Sequence, residues 1–173
     1  MNALAATVDE HTLEDEDTIL KAREHVIAAR VMREYANKKM AESQEDKATN
    51  ATWAETRDTL VGDYCQNMEL PFFGSSQPGE SYYMSPRGVY CFGVSNVGVA
   101  NHVLQAYIYL EGEGRKGGNN VASLLLKYLQ DRGWIDQTKG ARAELTLILD
   151  NCGGQNKNRM VLRMATLLVT IRT

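Results

Sequence analysis

The sequence predicts an α/β fold with a mixed sheet behind a long N-terminal helix. Three observations carry that prediction. Good helix formers run without Gly or Pro from about Thr12 to Glu45, with Leu20, Ile27, Val31 and Tyr35 on one face and Ala28 and Met32 beside them. Four later segments read as strands. A helical pattern lies between the third and fourth of them, where a crossover would run.

The first helix has its start signal in Thr12-Leu-Glu-Asp15, a capping box with the acids Asp9, Glu10, Glu14, Asp15, Glu16 and Asp17 at its positive end. Gln44 to Thr52 is polar and reads as a break, and Trp53 to Thr59 as a short helical turn. The first strand is Thr59 to Gln66, carrying Asp63, a residue type depleted from strands. Asn67 to Pro86 holds all three prolines and reads as a long loop, extended around Ser81 to Met84. Gly88 to Ser95 and Asn101 to Leu110 are strands two and three, joined by an Asn/Gly turn. After a charged, Gly-rich loop, Asn119 or Asn120 caps a helix from Val121 to about Arg132. Val121, Leu124, Leu125, Tyr128 and Leu129 face inward, and Gly133 stops the helix. Leu145 to Leu149 is a buried strand ending on Asp150. Gly153 and Gly154 then turn the chain into a basic amphipathic helix from about Gln155.

Three antiparallel-capable strands followed by a helical crossover to a fourth open a ribonuclease-H-like mixed sheet. In that arrangement the first and fourth strands are parallel neighbours, which brings Asp63 and Asp150 together near the sheet centre. The division expected is a helical region over 1–57 and a partial ribonuclease-H-like domain over 58–173.

At 173 residues the chain holds one domain, or one domain with a helical appendage. The net charge of −3 hides basic stretches, Lys21 to Lys39 and Lys157 to Arg172, so local charge permits a nucleic-acid partner while total charge does not demand one. Cys65, Cys91 and Cys152 have neither zinc spacing nor a disulfide framework, and read as small buried hydrophobes in a reducing compartment. No basic flank and apolar core mark a signal peptide, and no apolar run reaches membrane-spanning length. These features predict an intracellular protein with no membrane partner.

Two carboxylates on adjacent strands repel unless a cation lies between them. Oxygen ligation suits Mg²⁺ or Mn²⁺, which serve phosphodiester chemistry. The bland alternative makes Asp150 a helix cap and Asp63 an edge or bulge residue. Gln155, Asn156, Lys157 and Arg159 at the last helix start are candidates for DNA phosphates; capping, turn formation and an exposed face are the alternatives. Glu111 and Glu113 could approach the acidic site or face solvent. His102, Tyr107 and Tyr109 alternate and pack a sheet face.

Asp150-Asn-Cys-Gly-Gly-Gln-Asn-Lys-Asn158 resembles the DNCGGQNKN motif of transposase-derived proteins with a DDE-type, ribonuclease-H-like domain. Arg30 to Asn37, Asp63 to Pro71, Tyr82 to Val94 and Gly117 to Tyr128 resemble the same group in collinear order, covering most of residues 20–173. The final motif is specific and the others moderate. The resemblance implies a metal-dependent DNA nuclease or strand-transferase, nuclear if functional, with Asp63 as the first catalytic acid, Asp150 as the second, and both holding Mg²⁺ or Mn²⁺. The third acid has no counterpart before Thr173. The expectation is therefore a C-terminally truncated, catalytically inactive fragment. The alternatives are a non-catalytic DNA- or protein-binding module domesticated from a transposon, or a relic without function.

Overall fold

The protein is described by a computed structural model covering the backbone of residues 3–74, 76–99, 101–140 and 143–172, with side chains from residue 17 onward except those of 137, 171 and 172. Ten elements follow in order: α1 (Ala3–Ala48), β1 (Arg57–Tyr64), β2 (Met68–Leu70), a 3-10 turn (Gly79–Ser81), β3 (Arg87–Asn96), β4 (Leu104–Leu110), α2 (Gly118–Asp131), a second 3-10 turn (Gln137–Lys139), β5 (Glu144–Leu149) and α3 (Arg159–Arg172). The chain divides into two compact units, Met1–Lys39 and Met40–Thr173. The first is helical. The second contains the sheet.

The sheet is mixed and five-stranded, as the α/β prediction requires. β3 is paired along one edge with β4 and along the other with β2 and then β1, all antiparallel. β5 lies beyond β1 and runs parallel to it, the connection made through α2. The predicted parallel pairing of the first strand with the strand ending at Asp150 is thus present. β5 is an outer strand of the described sheet, so Asp150 lies at its margin and not at its centre.

Alternation along β1 builds the core. Leu60 points to the face on which Phe92, Val94, Val121, Leu125, Leu129, Trp134, Val161 and Met164 pack, a layer supplied by β3, α2 and α3. α2 buries Val121, Leu125, Tyr128 and Leu129 at helical spacing, with Leu124 half-buried. Its end is a Schellman turn. Gly133 takes φ +74°, its N–H donates to Gln130 O at 3.0 Å, and Trp134 N–H donates to Leu129 O at 2.8 Å. That turn drops the Trp134 side chain into the core.

The last turns of α1 meet the start of β1. Ser43 Oγ and Thr59 Oγ1 share a buried hydrogen bond of 2.7 Å. Asp46 accepts from the Arg57 backbone N–H at 2.8 Å and from Arg57 Nε at 2.8 Å. The guanidinium and these hydrogen bonds hold the Asp46 carboxyl below its ordinary 3.8, at about 2. A carboxyl whose folded-state value is depressed contributes stability that is present above 3.8 and lost as pH falls toward 2. The urea midpoint should therefore decline across that window, and Asp46→Asn should flatten this part of the decline. An unchanged acid limb in the variant would show that the ion pair does not couple to folding.

Several expected boundaries move. Thr12 lies within α1, so it does not cap the helix, and the acidic side chains Asp9 to Glu16 lie outside the described residues. Trp53 to Thr59 forms only a turn before β1 begins at Arg57. The long loop contains β2, whose three exposed residues are too few to show alternation, and Ser81 to Met84 is turned, not extended. α2 begins at Gly118 with Gly117 as its cap and no side-chain cap bond, so neither Asn119 nor Asn120 serves. Asn158 caps α3 by accepting from Met160 N–H at 2.8 Å, four residues later than expected. Cys65 is exposed, contrary to the buried reading of all three cysteines. His102 precedes β4, while Tyr107 packs against the core.

Candidate functional site

The two predicted acids end adjacent parallel strands at the same level. Register pairs run from Arg57 with Glu144 to Gly62 with Leu149, and the next residue on each chain is Asp63 and Asp150. Neighbouring strands lie about 4.8 Å apart, so the two backbones are close at this point. Both acids are exposed. One residue before Asp63, Gly62 leaves room for the core side chains, because a Cβ there would meet Leu149 Cδ2 at 3.2 Å and Phe92 Cζ at 3.2 Å.

Asp63 turns one oxygen back to the chain, Oδ1 accepting from Tyr64 N–H at 2.7 Å. Tyr64 is anchored below it. Its hydroxyl shares a 2.7 Å hydrogen bond with that of Tyr109, and its ring lies 4.9 Å from that of Phe92, tilted at 60°. Burial first, then the Tyr109 hydrogen bond, pushes the Tyr64 phenol well above its ordinary value, so it stays protonated at neutral pH.

Asp150 is held from the turn that follows it. Asn156 Nδ2 donates to Asp150 Oδ1, and Cys152 N–H approaches the same oxygen at 3.4 Å. The turn closes on the Cys152 carbonyl, which accepts from the N–H groups of Gln155, Asn156 and Lys157 at 3.2, 2.9 and 2.9 Å. It is tied to the start of α2 as well, where Gly118 N–H donates to Gly154 O at 3.2 Å. Gly118 has no room for a side chain, since a Cβ would lie 2.5 Å from Asn158 Cγ. The DNCGGQNKN run is thus a folded loop that orients its leading acid.

Asn156 is 5% exposed and its amide donates to Asp150, so it positions that acid from inside the turn. Its Oδ1 is buried and finds no partner among the described residues. Gln155 is half-buried, while Lys157 and Arg159 are exposed and free of that constraint. The two glutamates considered for the site are separate from it. Glu113 Oε2 accepts from Leu110 N–H at 2.8 Å within its own turn, and Glu111 lies against Gly88. Among the described residues, no three His, Cys, Asp or Glu side chains cluster as a metal site. Two acids are present, and a third is not.

A second polar centre went unread in the sequence. Asp58, 1% exposed, accepts from Lys47 Nζ, from Asn96 Nδ2 at 2.8 Å and from Trp134 Nε1 at 3.1 Å. It lines an open cleft of about 370 Å³ together with His102, Tyr128 and Arg132. An Asp one residue ahead of a predicted strand carries no signal of burial, and its three donors come from α1, β3 and the turn after α2.

No known protein family matches the chain, and neither does any curated protein or solved structure. Among the described residues, no helix is long and apolar enough to cross a membrane.

Proposed function

We propose that Met40–Thr173 carries the strand framework of a ribonuclease-H-like, DDE-type domain of transposase origin, and that Asp63 and Asp150 are a pair of cation-holding carboxylates for phosphodiester chemistry on DNA. The observation supporting this most directly is the parallel β1–β5 register, which brings two strand-end acids side by side from positions 87 residues apart. The oriented Asp150 adds to it. So does the donor set: all-oxygen, exposed and two carboxylates in number, which suits Mg²⁺ or Mn²⁺ retaining most of its water. A bound ion would supply Lewis-acid polarisation of a phosphoryl oxygen. The chain's own contribution is to hold Asp150 through Asn156 and Cys152, to hold Asp63 at the end of β1, and to offer Lys157 and Arg159 as exposed charges for phosphate.

The exposed Lys157 and Arg159 also suit a second reading, a DNA-binding module. Titration of the full chain with Mn²⁺, read by electron paramagnetic resonance, separates the possibilities. Asp63→Asn and Asp150→Asn should each weaken binding by roughly 10-fold or more, with the fold unchanged by circular dichroism. Equal Mn²⁺ affinity in wild type and both variants would sink the cation site. Salt-sensitive DNA binding that persists in both variants, and weakens on Lys157→Ala, would then favour the binding module.

A further inference from the structure

The end of β1 places two thiols opposite each other. The β1–β3 register pairs Tyr64 with Phe92, and the next pair is Cys65 with Cys91, whose backbones are joined by Cys65 N–H donating to Cys91 O at 2.9 Å. Hydrogen-bonded antiparallel partners lie about 5.5 Å apart at Cα, within the separation a disulfide spans. In the reduced state Cys65 Sγ donates to Gln66 O at 3.3 Å. Burial first, and then the Cys65 thiol beside it, raise the Cys91 thiol above its ordinary value, while the Lys116 ammonium pulls the other way. Lys116 Nζ donates to Cys65 O at 3.1 Å and lies over the rings of Tyr64 and Tyr90. Cys65 is exposed and Cys91 half-buried, so one thiol is open to an oxidant and the other waits behind it.

We propose that Cys65 and Cys91 form an oxidation site, a reversible dithiol–disulfide pair that responds to hydroperoxides. The Cys65 thiolate attacks the peroxide oxygen, the O–O bond breaks, and the product alcohol or water leaves as Cys65 becomes a sulfenic acid. The Cys91 sulfur then attacks that sulfur, the S–O bond breaks, and the departing hydroxide takes the Cys91 thiol proton and leaves as water. The two sulfurs together lose two electrons, which the peroxide gains. Cys152, in the turn after Asp150, stands outside the pair and serves as an internal control. The site does not depend on the proposed cation chemistry.

The test is to treat the reduced full chain with hydrogen peroxide and to follow intact mass, thiol count and the non-reducing peptide map. The expected result is the loss of two of the three thiols, a mass lower by two hydrogen atoms, and a peptide linking Cys65 to Cys91. Dithiothreitol should restore all three. Cys91→Ser should leave Cys65 as a sulfenic acid captured by dimedone, with no intramolecular link. Retention of all three thiols, oxygen addition without a link in the unmodified chain, or linkage through Cys152 would overturn the proposal.

Discussion

Asp58→Ala is expected to lower the free energy of unfolding by about 3–5 kcal/mol. The carboxylate is buried between Lys47, Asn96 and Trp134, and its removal takes one acceptor from each of these three donors. Lys47 is the least affected, because its side chain keeps 27% of its exposure and can turn to water. The Trp134 indole is buried. Asp58→Asn should cost less, since an amide oxygen still accepts from one donor. Urea unfolding of the two variants reads the difference. An alanine variant within about 1 kcal/mol of wild type would mean that the surrounding residues repack around the loss. The effect should extend beyond the strand, because Asp58 joins the end of α1, β3 and the turn after α2 in one network.

Phe92→Ala is expected to cost about 3–5 kcal/mol as well, by a different route. Phe92 is fully buried in the middle of β3, beneath Gly62 and against the Tyr64 ring. Truncation leaves a cavity on the core face where β1, β3 and β5 come together, one residue along β1 from Asp63, whose side chain alternates to the other face. Thermal unfolding and Mn²⁺ titration of the same variant read both consequences, a lower midpoint and weaker cation binding. Unaltered Mn²⁺ affinity in a destabilised Phe92→Ala would show that the acids are positioned by their own backbone and the Asn156 turn alone.

The elements most legible in the sequence are those whose pattern is long or strongly periodic. α2 announces itself through Val121, Leu125, Tyr128 and Leu129 at helical spacing and through Gly133, whose positive φ suits a residue without a side chain. β5 is equally plain, an apolar run ended by an acid. β2 is invisible because its three exposed residues owe their strand form to pairing with Arg87 to Val89 and to nothing local. The start of α3 is misread for a related reason. Asn156 and Asn158 are both good caps by type, and only the tight turn on the Cys152 carbonyl decides that Asn156 closes on Asp150 while Asn158 begins the helix.

By itself the sequence determined the types of the longer elements, the apolar face of α2 and the two acids that end strands, because these follow from local periodicity and from residue chemistry. The tertiary structure alone decided the residue-by-residue register of the strands, that Cys65 is paired with Cys91, that Asn156 is hydrogen-bonded to Asp150, and that Asp58 is buried among distant donors. Apart from the Asp150–Asn156 contact within one turn, each of these is a meeting of residues far apart in the chain. Their positions depend on the pairing of whole strands and the packing of helices over them, which no local window of sequence contains.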